Sequence, residues 1–175
     1  NFLGFTWSVK RDEARADYLS LCKNDAEKAT MLSLFAMNSL GSEVGTLKEI
    51  YNLNPANDAL EVVAVREINK LEEKYLTPLL SQQKGGKALY FSWGDKVTDS
   101  AVAENIVMAK ILMNFLHDAA TKGNVKNAGL FETGAAYTAY MLKDYATAKK
   151  YLAAADKMSL TQKVKDQWAL TNLLV

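Results

Sequence analysis

Spacings of three and four between apolar positions run through most of this 175-residue chain, and residues that stop helices separate the runs. The first run covers about 11–22, with Ala14, Tyr18, Leu21 and Cys22 on one side. Asn24 or Asp25 then caps a second helix reaching about Leu40, striped by Met31, Leu32, Leu34 and Phe35, and Gly41 stands where a C′ glycine would close it. A third helix covers about 42–53 and stops at Asn54-Pro55, because proline disfavours helical backbone in the residue before it. A longer helix, about 58–75, carries Leu60, Val63, Ala64, Glu67, Ile68 and Leu71 along one side. Thr77-Pro78 reads as a cap with proline at the first position of a short new helix to about Gln83.

The periodicity breaks at Lys84-Gly85-Gly86-Lys87, and Leu89 to Gly94 is an aromatic stretch without a helical stripe; 84–97 is therefore expected to be an irregular insertion. Helical spacing resumes at Thr98 or Asp99 and holds to about Lys122. There Val102, Ile106, Ala109, Met113, Leu116 and Ala120 form one face, widened by Val107, Ile111, Leu112 and Phe115, and so broad a stripe implies burial on two sides. Gly123-Asn124 ends it. From Gly134 to Met158 the pattern is two helices and a tight turn. Ala135, Ala136 and Ala139 let a neighbouring backbone approach, Asp144 is placed to cap the second helix, and Ala148, Tyr151, Leu152 and Ala155 form its buried face. Ser159-Leu160-Thr161-Gln162 has the form of a capping box and opens a last helix with Val164, Trp168, Leu173 and Leu174. The aromatic start, Phe2, Leu3, Phe5 and Trp7, is expected to tuck against the first helices.

Composition narrows the function classes. A formal net charge of +1 sets up no bulk field toward nucleic acid or anionic membranes, and no apolar run reaches the roughly 20 residues of a membrane span. The series Lys143, Lys149, Lys150, Lys157, Lys163 and Lys165 has neither interleaved aromatics nor arginine, so it reads as a solvated helix face. One cysteine, Cys22, excludes an internal disulfide and lacks a neighbouring base, and a single histidine, His117, is too few for a metal centre. Lys84-Gly85-Gly86-Lys87 lacks the glycine spacing and the Ser/Thr of a phosphate loop, and adjacent Glu72 and Glu73 point to different helix faces. The expectation is a non-catalytic chain with no cofactor and no metal. The absence of an initial methionine and an apolar helical ending give the further expectation of a piece of a longer protein, and the compartment cannot be read from it.

Ala136, Ala139, the turn Leu142-Lys143-Asp144-Tyr145, then Ala148, Leu152 and Ala155 resemble the tetratricopeptide repeat, a helix-turn-helix unit of about 34 residues. Ala136 replaces the glycine of the first helix, Lys143 the turn glycine, and the early tryptophan is missing. Leu53-Asn54-Pro55-Ala56-Asn57 is similar to the junction that closes such a unit, with Met31, Leu34, Leu47 and Ile50 at packing positions. The resemblance implies one all-α domain over 1–175, a stack of antiparallel helical hairpins interrupted at 84–97. It further implies a scaffold or adaptor whose concave groove takes a peptide or protein partner, and carried onto this chain the groove face would hold Thr133, Tyr137, Tyr140 and Met141. Two alternatives remain open: a helical small-molecule or carbohydrate module with a pocket lip at Tyr90 to Trp93, and a structural spacer.

Overall fold

A computed structural model gives the arrangement of residues 11–81 and 99–175. Regular structure among these described residues is helical throughout, as the periodicity requires. Helices α1 (Arg11–Ser20), α2 (Asp25–Asn38), α3 (Val44–Leu53) and α4 (Asp58–Leu71) are followed by a π-helical turn, Glu72–Leu76, and by α5 (Thr77–Ser81). Then come α6 (Asp99–Lys122), α7 (Ala128–Met141), α8 (Tyr145–Ala155) and α9 (Gln162–Leu174). The N-terminal aromatics, Phe2 to Trp7, and the insertion at 84–97 lie outside the described residues.

Side-chain oxygens start most of these helices by accepting from orphan backbone N–H groups. Asn24 accepts from Glu27, Asn57 from Ala59, Asn127 from Leu130, Asp144 from Thr147 and Thr161 from Val164. The Thr147 hydrogen bonds hold the Asp144 carboxyl below its usual range. Three expected punctuation marks work differently. The box from Ser159 to Gln162 does not form, because Thr161 itself caps α9 with Gln162 as its first residue. Gly41 is not left-handed; α2 ends at Ser39, whose extended backbone (φ −85°, ψ 137°) turns the chain two residues earlier. Nor does Thr77 cap a new helix. It is helical itself (φ −58°, ψ −45°), and its N–H reaches back five residues to the Glu72 carbonyl. Pro78 has no N–H and its ring crowds the carbonyl four residues back, so the chain widens by one residue ahead of it instead of breaking.

Gly123 (φ 67°) closes α6 in the left-handed conformation that costs glycine nothing. Lys143 (φ 61°) adopts the same conformation in the turn between α7 and α8, where a Cβ is unfavourable. The turn is nonetheless well bonded. Lys143 donates to the Tyr140 carbonyl at 2.8 Å and Asp144 to the Ala139 carbonyl at 3.0 Å.

Helix α7 is the centre of the packing. It lies chiefly against α6 and α8, and also touches α4 and α9; α2 pairs with α3, and α4 touches α2, α3 and α6. Small residues permit this crowding. A Cβ on Gly134 would come within 2.8 Å of the Ile68 side chain on α4, and one on Gly129 within 2.2 Å of Leu160 and 3.0 Å of the Ser159 carbonyl. Phe131, Ala135 and Ala136 are fully buried with Leu112 and Leu116 of α6 and Leu152 of α8 in one core that extends through α4 to Leu32, Leu47 and Ile50. Buried hydroxyls on α7 bond within the helix: Thr133 donates to the Gly129 carbonyl at 2.7 Å and Thr138 to that of Gly134 at 2.8 Å.

A polar knot ties α4 to the segment after α2. Glu67, buried, accepts from the Glu43 N–H at 2.8 Å and from the Lys70 ammonium at 2.6 Å. Lys70 and Lys74 also donate to the carbonyls of Gly41 (2.8 Å) and Leu40 (2.5 Å), and Arg66 donates to that of Ser39 (3.3 Å). Three cations spaced four residues apart thus satisfy the carbonyls left free where α2 ends.

Candidate functional site

Two features of α7 combine chemistry with geometry, one buried and one at the surface. The buried one begins with Glu132, the only charged residue in a helix otherwise made of apolar, small and neutral polar residues. It is wholly buried, and both its oxygens face Nδ1 of His117 on α6, at 2.9 and 3.0 Å. A carboxylate on that side places the proton on Nδ1. The imidazole lies flat on the Tyr151 ring of α8, with 4.3 Å between centroids and 21° between planes. Burial pushes the Glu132 carboxyl up, against the hydrogen bond and charge of His117 and the more distant Lys150. Burial also raises the Tyr151 phenol, aided by Glu132, Asp118 and Asp144. The cluster therefore fastens three helices through one partly exposed imidazole.

The surface feature is a run of tyrosines. Tyr137 and Tyr140, one turn apart on α7, stack at 5.9 Å and 21°, and Tyr140 meets Tyr145 at the start of α8 at 6.3 Å and 53°. Tyr145 is exposed, whereas Tyr137 and Tyr140 are half-buried. Burial, then the charge of Glu72 on the π turn, drive the Tyr137 phenol far above its ordinary range. The four residues expected on a groove face thus divide. Tyr137 and Tyr140 remain accessible together; Thr133 and Met141 lie inside the core, with 2% and 1% of their surface exposed.

The remaining candidates are placed as follows. The Cys22 thiol is half-buried and donates to the Tyr18 carbonyl at 3.5 Å, beside an apolar depression of about 510 Å³ between α1 and α2. Another open depression, about 650 Å³, lies where the Asp156–Leu160 segment meets Trp168, whose indole N–H donates to the Leu152 carbonyl at 2.9 Å. No group of three metal-ligating side chains occurs among the described residues, and no described helix is long and apolar enough to cross a membrane. Sequence reasoning treated His117 alone and passed over Glu132. The available signal was a lone acid inside an uncharged helical stripe, which burial forces to find a partner.

The class defined by these observations is an all-α protein of sequentially paired helices. No protein-family description matches the chain, and no curated protein or solved structure does either.

Proposed function

We propose that the chain is a non-catalytic interaction scaffold, built as a tetratricopeptide-like stack of helical hairpins, which holds a peptide or protein segment along one face. The observation that carries this reading is the tyrosine run on α7, whose rings are fixed at one end by the core and open at the other. Rigid aromatic side chains bury large area at small entropic cost, and this is why they dominate binding surfaces. The order of helix contacts supports the same reading. In the pairs α2–α3 and α7–α8 neighbours in sequence pack together, and α2 touches α4, α4 touches α7 and α7 touches α9, so the first helices of successive hairpins adjoin. Exposed Leu34 and Met37 on α2 and Val62 and Val65 on α4 extend the supply of apolar contacts on these helices.

Selection from a displayed random-peptide library on the immobilised protein tests the proposal. Enriched peptides are expected to bind the Tyr137→Ala/Tyr140→Ala variant at least tenfold more weakly, while its thermal midpoint stays close to that of the parent. No enrichment, undiminished binding to the variant, or unfolding of the variant would each remove the support.

A further inference from the structure

We propose that the partner segment presents an acidic side chain to the tyrosine run on α7 and α8, seated at its Tyr145 end between Lys143 and Lys149. The inference rests on the scaffold reading for the nature of the partner, and on the chemistry around the rings for its charge. Tyr140 and Tyr145 meet across the turn between α7 and α8 at 6.3 Å, and Tyr145 leaves 46% of its surface to solvent. Lys143 stands in that turn, and Lys149 follows Tyr145 by four residues, which puts both of those side chains on one face of α8. Both lysines are exposed. Among the described residues neither has a carboxylate partner, whereas Lys28, Lys70 and Lys126 are each paired.

Lys143 carries a second indication. Its backbone holds φ 61°, a conformation in which glycine is the unstrained residue, so a side chain is kept there at a cost to the fold. That side chain places an ammonium on the turn joining the two helices that carry the rings. The nearest acid in sequence is committed elsewhere: Asp144 accepts from the Thr147 N–H at 3.1 Å and starts α8. The charge of Glu72 bears on Tyr137, at the other end of the run, so the preference for an anion belongs to the Tyr145 end alone. A carboxylate arriving there meets two ammonium donors and rests its methylenes on a ring. A neutral segment uses only part of that combination, and a basic one is repelled by it.

The test is a proton NMR titration of the protein with three acetylated, amidated peptides that differ only in charge: Gly-Asp-Phe-Asp-Gly and its asparagine and lysine counterparts. A further arm uses a uridine oligonucleotide, which offers phosphates and stackable bases to the same groups. The acidic peptide should shift the ring signals of Tyr140 and Tyr145 saturably. It should bind at least threefold more tightly than the asparagine peptide, by a margin that shrinks as salt is raised. Lys143→Gln and Lys149→Gln should each weaken the acidic peptide about threefold and leave the asparagine peptide unchanged. Lys163→Gln, in the first turn of α9, should change neither. Lys143→Gly separates binding from folding, since it should lose the same affinity while gaining stability. Equal binding of the asparagine peptide, preference for the lysine peptide, no saturable shift, or tighter binding of the oligonucleotide through the same lysines would overturn the proposal. Its failure is separable from that of the scaffold reading. Library peptides enriched without acidic residues, and lost in the tyrosine double variant, would sink only the acidic preference. Acidic-peptide binding at the two lysines with no enriched library peptides would sink only the scaffold.

Discussion

Replacing His117 by alanine removes the hydrogen-bonding partner that both oxygens of Glu132 face, and leaves a wholly buried carboxylate against an apolar wall. Leaving a buried carboxylate without its hydrogen-bond donor costs roughly 2–3 kcal/mol, since water can reach the gap where the His117 side chain is 27% exposed. Lost stacking on Tyr151 adds about 0.5–1.5 kcal/mol. For a chain of this size the sum lowers the thermal midpoint by about 5–18 °C. Glu132→Gln keeps an oxygen for Nδ1–H and removes the charge, so it should be neutral or stabilising at pH 7. The sign of the pH dependence follows from the raised Glu132 carboxyl: the folded state holds that proton more tightly than the unfolded chain. Stability from this group is thus present below the unfolded carboxyl range and is lost as pH rises through the higher folded value. His117→Ala should steepen that loss, and Glu132→Gln should abolish it. Urea unfolding followed by circular dichroism, for both single variants and the double variant at several pH values from 4 to 8, measures every term. A His117→Ala penalty below about 0.5 kcal/mol, or one unchanged in the Glu132→Gln background, would show the two groups to be energetically independent and refute the reasoning.

Other outcomes follow from the packing. Lys143→Gly should raise stability by about 0.5–1 kcal/mol, read from urea midpoints, because glycine takes the left-handed turn without the Cβ penalty. Gly129→Ala should lower it by about 1–3 kcal/mol, since the new methyl meets the Ser159 carbonyl as well as a movable leucine end. Glu67→Ala removes the acceptor of the Glu43 N–H and the carboxylate partner of Lys70, which should cost about 2–4 kcal/mol in the same assay. Faster amide hydrogen exchange around Glu43 in that variant would locate the damage.

How much of this could be read in advance depended on the range of each interaction. Helices and their starts were legible because stripe and cap sit within a few residues of one another, as at Asn24 and Asp144. Ends were less so. Gly41 carried the composition of a terminator, but Lys70 and Lys74, about thirty residues on, satisfy carbonyls there and let Ser39 make the turn. Thr77-Pro78 likewise gave the signal of a fresh start, while the backbone had the option of a wider turn. At the candidate site, Tyr137 and Tyr140 could be placed on one face by spacing alone. The tilt that buries Thr133 and Met141, and the His117–Glu132 contact, depend on how whole helices meet, and no local pattern encodes that.

The widened turn before Pro78 also bears on how this chain tolerates change in length. An extra residue absorbed inside a helix advances everything after it by about 100° without opening the rod. Pro78→Ala would restore the missing donor and lower the barrier to rewinding, turning Glu72 relative to the segment beyond it. One imino acid thus acts as a phase key, setting the angular position of a carboxylate six residues upstream of it.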